Sequence, residues 1–239
     1  MAAEEYDPLE PDQQDALAAS GRALASVIPM FGGVVGELIT QRLPAQRIDR
    51  ISDYIRFLEE RVKALELNWQ AIIGNAEKID LIEEGGFQAA RATSSKRIEQ
   101  IAELVAQGLA SEDANLVRRK RLASLLRELD DDEIVLLNAY GQSYGGDARV
   151  WQTVDMPGPS DLQSSLEELD AEKLYEAGRD RLLRLGLLQK NYRNPRRGEA
   201  PAFDTRKGDY AHSIEVSYLG RMLLRMIGQP SPYDQSAEG

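Results

Sequence analysis

Apolar residues recur with helical spacing over most of this chain. Ile48, Ile51, Ile55, Leu58, Val62, Leu65, Trp69 and Ile72 are separated by alternating steps of three and four, an a/d heptad register held over four heptads. The spacing predicts one long amphipathic helix after Pro44, whose apolar stripe needs a cover. Two covers are open. In a parallel coiled coil, Arg61 at a g position would pair with Glu66 at the following e position of a second copy. In an intramolecular bundle the same stripe faces other helices of the chain, and Trp69, bulky for a dimer seam, favours this arrangement. Further helices are expected over Ser94–Leu109, with Ile98, Ile101, Leu104 and Val105 on one face, and over Leu116–Leu129. The run Arg118-Arg119-Lys120-Arg121 reads as a solvated face flanked by Glu112, Asp113, Glu128 and Asp130. Leu129–Tyr140 forms the next helix, with Asp130 to Asp132 as N-cap and first-turn acids that suit the helix dipole.

After Asp170 the periodicity changes in a definite order. A helical run over Glu172–Leu185 carries Leu174, Ala177, Leu182 and Leu185, and stops at Gly186, where a left-handed residue is expected just past a helix end. Leu187 and Leu188 make a short strand, Lys190 to Asp209 is polar and turn-rich, and Ser213-Ile214-Glu215-Val216-Ser217 alternates as a returning strand. The last helix spans Tyr218–Ile227. Ahead of this unit, the loop Gly141–Asp161 is long for a connection, which is a mark of functional or disordered segments. Its glycines lack the Gly-Lys-Ser/Thr of a phosphate cradle. Tyr144 and Trp151 are available there to pack onto the domain, and Ser164 or Ser165 caps a short helix before Asp170.

Helix, short strand, wing, strand, helix resembles the winged helix-turn-helix family. "RLLRLGLLQ" is similar to its recognition helix and first wing strand, "IEVSYLGRMLLRMI" to its second strand and closing helix, and Leu129–Tyr140 to its first helix. The resemblance implies a fold, and a function drawn from binding to DNA, RNA or another protein. A second resemblance lies in Ile79–Leu109, "IDLIEEGGFQAARATSSKRIEQIAELVAQGL", which is similar in arrangement to the abortive-infection alpha family of bacterial proteins; Leu185-Gly186-Leu187 matches that family's leucine-glycine-leucine junction. It implies a role in bacterial conflict with phage or mobile elements. No family active site comes with it, and the heptad helix, the Gly32-Gly33 segment and the basic wing have no counterpart there.

These features predict a mainly α protein: a disordered acidic tail over residues 1–15, a helical bundle domain over 16–128 with one long heptad helix, a winged-helix-like domain over 129–228 with a small β-hairpin wing, and a disordered tail over 229–239.

Composition narrows the chemistry. The chain has 239 residues, 42% hydrophobic and 29% charged, which is ordinary for a folded globular protein. It has no cysteine, so disulfides, thiolate nucleophiles and cysteine-ligated zinc are excluded. That absence fits a reducing cytosol, and the acidic, polar start "MAAEEYDPLEPDQQ" lacks the pattern of an export signal; a cytoplasmic location is expected. His212 is the single histidine, so a histidine metal cluster is impossible. In a wing strand it reads as a hydrogen-bonded structural residue. Adjacent acids such as Glu83-Glu84 and Glu167-Glu168 point apart on a helix. No catalytic residue, metal or cofactor is expected, and the chain reads as non-enzymatic.

The net charge is −11, yet the stretch from Gly178 to Lys207 holds nine bases against three acids. On the winged reading, Arg179, Arg181 and Arg184 lie on the recognition-like helix and Lys190, Arg193, Arg196, Arg197, Arg206 and Lys207 on the wing, where contact with nucleic-acid phosphates is natural. A protein partner for the same unit is the second possibility. The third concerns Ala23–Ile39, the most apolar segment, interrupted by Pro29 and closed by Glu37. It is too broken for a single span, and suits two short buried helices. Alternatively, Gly32, Gly33 and Gly36 allow close helix approach in lipid, making the chain a membrane-acting defence effector.

Overall fold

A computed structural model describes residues 45–111, 113–143, 148–158, 161, 163–192, 201–205 and 208–235. The fold is mainly helical, with two short antiparallel ladders near the C-terminus. Two compact units divide between Ala123 and Ser124, within the helix Asp113–Glu128. The apolar segment Ala23–Ile39, with Gly32, Gly33 and Gly36, lies outside the described residues. Among the described residues no helix is long and apolar enough to cross a membrane.

The first unit is built on α1 (Ala45–Ala64), which packs against α3 (Ala76–Ala89) and α4 (Ser95–Leu109). Ile48, Ile51, Ile55, Leu58 and Val62 are all buried, along with Tyr54, and their cover comes from the same chain. From α3 come Leu81, Ile82 and Ala89, and from α4 Ile98, Ile101, Leu104, Val105 and Leu109. Arg61 pairs at 2.8 Å with Glu103 of α4, so the charge expected to face a second copy is used within the unit.

The long heptad helix is shorter than its sequence register. It ends at Ala64, and Leu65, the next seam residue, is 37% exposed. The stop is a left-handed turn at Glu66 (φ 52°), closed by Glu66 N–H to the Lys63 carbonyl at 3.0 Å and Leu67 N–H to the Val62 carbonyl at 3.1 Å. Asn68 then caps a separate short helix, α2 (Trp69–Ile73), by accepting hydrogen bonds from Gln70 N and Ala71 N. Trp69 and Ile72 therefore belong to a different element, where Ile72 is buried and Trp69 half-buried.

Close packing fixes α1 on α3. The Tyr54 hydroxyl donates to the Ile82 carbonyl at 3.0 Å, and complete burial pushes its pKa far above the ordinary phenol value. Gly85 leaves room for that hydroxyl: a Cβ there would collide with it and approach Val105 Cγ2 to 2.8 Å. Ser94 caps α4 by accepting from Arg97 N at 3.2 Å. The helix expected over Leu116–Leu129 is α5 (Asp113–Glu128), and Lys120 of its basic run pairs with Asp80 at 2.6 Å.

In the second unit α6 (Asp131–Ser143) is followed by a 3-10 turn (Ala148–Thr153), α7 (Leu166–Arg184), β1 (Leu188–Tyr192), β2 (Phe203–Asp204), β3 (Asp209–Tyr210), β4 (His212–Val216), α8 (Tyr218–Met226) and α9 (Pro232–Gln235). Strands β1 and β4 pair in register Leu188↔Val216, Lys190↔Ile214 and Tyr192↔His212, and β2 pairs with β3 through Phe203↔Tyr210. Helix α7 starts well before the expected Glu172. Ser165 and Glu168 form a reciprocal capping box, which merges the separate short helix read before Asp170 into one 19-residue helix. Gly186 (φ 72°) ends it as expected, with Leu187 N–H bonded to the Leu182 carbonyl at 3.0 Å.

Leu182, Leu187, Leu188, Val216, Leu223, Leu224 and Ile227 are buried in this unit with Ile134 and Leu137. Ser217 joins hairpin to helix: its hydroxyl donates to the Gly186 carbonyl at 2.5 Å and accepts from Gly220 N at 3.0 Å. Burial alone would raise the Asp234 carboxyl, but hydrogen bonds from Ser231 and Arg225 outweigh it and hold the group below the usual carboxylate range.

The Gly85 contact yields a signed expectation. On helix propensity alone Gly85→Ala would stabilise by about 1 kcal/mol. The collision with Tyr54 and Val105 instead predicts a net loss of about 1–3 kcal/mol, read as a lower urea midpoint. An unchanged or higher midpoint would contradict this packing.

Candidate functional site

Among the described residues, a site can be defined at the start of α6. Asp130 and Glu133 cap that helix reciprocally: Glu133 N–H donates to Asp130 Oδ1 at 2.8 Å, and Asp130 N–H donates to Glu133 Oε2 at 3.1 Å. The Glu133 side chain is buried, and it meets Arg181 of α7, whose Nη1 stands 3.3 Å from Oε2 and 3.4 Å from Oε1. Arg181 Nη2 also donates to the Glu128 carbonyl. Burial pushes the Glu133 carboxyl above its ordinary value; the Asp130 N–H opposes that rise, the Asp130 charge adds to it, and Arg181 opposes it.

Around this pair α6, α7 and the segment after the 3-10 turn enclose an open groove of about 550 Å³. Its apolar surface comes from Leu136, Val154, Pro157, Ala171, Leu174 and Ala177, and its charged edge from Asp130, Asp132, Asp155 and Arg184. Leu174, an apolar position of the helical run, is 74% exposed, and Leu166 on the same helix is 78% exposed. An aromatic cluster supports one wall. Tyr140 and Trp151 meet edge to face with ring centroids 5.0 Å apart, so Trp151 does pack onto the domain; Tyr144 lies outside the described residues. The Tyr140 hydroxyl is pushed up to about 12, first by burial and then by neighbouring Tyr175. The Arg179 guanidinium sits 5.9 Å from the Tyr175 ring centroid, and its buried Nε has no hydrogen-bond partner among the described residues.

The cations singled out for phosphate contact are divided by this geometry. Arg181 is tied to Glu133, Arg179 lies against Tyr175, and Lys190 pairs with Asp209 at 2.5 Å. Arg184 is exposed and lines the groove. Arg193, Arg196, Arg197, Arg206 and Lys207 lie outside the described residues. Because α7 begins at Leu166, its first half also exposes Glu167, Glu168, Asp170 and, part-buried, Glu172 and Glu176, with Lys173 paired to Glu176 at 2.7 Å. That half would repel phosphate. Of the three arginines expected on the helix, all in its last turns, Arg184 is exposed and Arg179 and Arg181 are half-buried.

His212 Nδ1 lies 2.7 Å from the Tyr210 carbonyl and 3.6 Å from Asp209 Oδ2, with its ring 5.5 Å from that of Tyr192. Among the described residues no group of three or more His, Cys, Asp or Glu side chains is disposed to hold a metal ion. What the groove offers is an apolar floor with an anionic edge. Glu133 and Asp155 escaped the sequence reading. The Asp-x-x-Glu spacing from Asp130 to Glu133 was the available signal for the first; nothing local marks the second.

Comparison of the chain with protein-family models, with curated proteins and with solved structures returns no match.

The raised Glu133 carboxyl fixes the sign of a pH effect. A carboxyl whose folded pKa exceeds its unfolded value contributes stability that is fully present below the unfolded pKa and is lost as pH rises through the folded one. The stability of the native chain relative to Glu133→Gln should therefore shrink as pH rises above the ordinary glutamate value of about 4.3, measured by urea denaturation over a pH series. A gap that stays constant or widens with pH would contradict the assignment.

Proposed function

We propose that this chain is a non-enzymatic binding protein whose C-terminal unit is winged-helix-like and docks a protein partner in the groove between α6 and α7. The order of α6, α7, β1, β4 and α8, with the hairpin after a glycine-terminated helix, supports the winged reading. The observation that carries the docking reading is Leu174: a leucine 74% exposed in the middle of an apolar groove edged by acids. Exposed apolar area of this kind, rimmed by polar groups, is characteristic of interaction sites.

The occupant follows from charge. Asp130, Asp132 and Asp155 line the edge against Arg184, while Glu133 and Arg181 are paired with each other. An amphipathic helical segment with leucine-like anchors and flanking lysines or arginines fits this surface, in the helix-in-groove manner of peptide recognition. The acidic first half of α7 favours the same partner over nucleic acid at this helix. A regulatory or phage-defence setting is proposed on the resemblance of Ile79–Leu109 to the abortive-infection alpha family.

The test uses the full chain and two fluorescein-labelled amphipathic peptides, with leucines at i, i+3 and i+4 and with either lysines or glutamates elsewhere. The lysine peptide should bind and the glutamate peptide should not. Leu174→Glu and Asp132→Lys, both surface changes, should each weaken binding by about tenfold or more, as loss of an interface anchor does. Binding that is indifferent to both substitutions would overturn the docking site.

A further inference from the structure

Helix α7 keeps a glycine in its interior that the packing of the chain does not require. Glycine inside a helix is destabilising relative to alanine, because it gives the unfolded chain more backbone freedom and the folded chain no side-chain contact. At other helical positions that loss has a structural reason. A Cβ at Gly85 of α3 would run into the Tyr54 hydroxyl, at Gly108 of α4 into Leu81 Cδ2 at 2.6 Å, at Gly141 of α6 into Leu224 Cδ1 at 2.6 Å, and at Gly220 of α8 into the Leu187 carbonyl. Gly178 differs. It lies inside a 19-residue helix, and among the described residues a Cβ there would meet only Glu133, at 3.6 Å from Cγ and 4.0 Å from Oε1. These are ordinary van der Waals separations, so alanine fits the chain at this position.

The place of Gly178 in the groove supplies a reason of another kind. Ala171, Leu174 and Gly178 follow one another at steps of three and four, which sets them on one stripe of α7, and all three line the groove. Leu174 stands out of that stripe, 74% exposed, while Gly178, one turn on, is half-buried and presents bare backbone. The distance between two packed helices is set by the side chains at their contact, and glycine allows the closest approach of another backbone. A turn without a side chain beside an exposed leucine is therefore shaped for a second helix at short range.

We infer that Gly178 is the crossing point of the docked helix, where the partner's backbone comes closest to α7, and that it selects a partner with a small residue (glycine, alanine or serine) one turn from its leucine anchors. This rests on the reading of the groove as a docking site for a cationic amphipathic helix, and adds to it a rule for the partner's sequence. The rule runs against simple hydrophobicity. A groove that only gathered apolar surface would hold a leucine at that position more tightly than an alanine. A close crossing rejects the leucine, because the larger side chain forces the two helices apart.

Two fluorescein-labelled, lysine-rich amphipathic peptides test this on the full chain. Both carry leucines at i, i+3 and i+4. They differ only one turn beyond that cluster at either end, in alanine or in leucine, so that the direction in which the peptide lies does not matter. The alanine peptide should bind about fivefold or more tightly than the leucine peptide. Gly178→Ala should weaken the alanine peptide by a similar factor and at the same time raise the urea midpoint of the chain, since the added Cβ has room and helix propensity improves. Leu174→Glu reports on the groove independently of the glycine. Binding lost in Leu174→Glu but unchanged in Gly178→Ala would overturn the crossing point and leave the docking reading standing; equal or tighter binding of the leucine peptide would do the same. A urea midpoint lowered by Gly178→Ala would overturn it too, by giving the glycine a part in the chain's own packing. If neither peptide binds the native chain, the docking reading falls and the crossing point falls with it.

Discussion

A buried carboxylate is costly unless its charge and lone pairs are met, and the second unit is arranged around meeting those of Glu133. Desolvation acts on this group more strongly than any neighbour does. Its oxygens are answered from two directions: the Asp130 N–H at the start of α6, and the Arg181 guanidinium from α7. One side chain therefore caps a helix and fixes a second helix against it. The Arg181 contact with the Glu128 carbonyl extends the same tie to the end of α5. Because Arg181 is 40% exposed, removing it leaves one buried acceptor group short of a partner, at a cost of about 1–3 kcal/mol.

That pair explains why the groove has the character it has. Along the first half of α7 Leu166 and Leu174 remain exposed, Leu174 at the groove. One of the three candidate arginines on the helix, Arg181, is paired with Glu133, so the charge that remains at the groove is that of Asp130, Asp132 and Asp155 against Arg184. An apolar floor with an anionic edge is the chemistry on which the proposed cationic amphipathic partner rests.

Local signals in the sequence were legible where physics is local. The stripe Ile48 to Val62, the Ser94 cap and the glycine stop at Gly186 each appear as periodicity and capping chemistry dictate. The end of α1 was not legible, because the left-handed residue is Glu66, with no glycine or proline to mark it, and the heptad spacing runs on unbroken past it. The start of α7 was encoded in Ser165 and Glu168, but its apolar pattern suggested two helices. Periodicity marks which side of a helix is apolar; it does not say whether another element will cover it, and Leu174 is the uncovered case. Arg181 could not be assigned from its neighbours at all, since its carboxylate partner lies 48 residues away in the chain.

The most direct measurement compares Arg181→Met with Arg184→Met by equilibrium unfolding at neutral pH. If Arg181 holds α6 and α7 together through Glu133, its replacement should lower stability by about 1–3 kcal/mol, while Arg184→Met, at an exposed position on the groove edge, should stay within about 0.5 kcal/mol of the native chain. Equal and small effects at both positions would contradict the account, returning Arg181 to the solvent-facing set and leaving the groove without its organising contact.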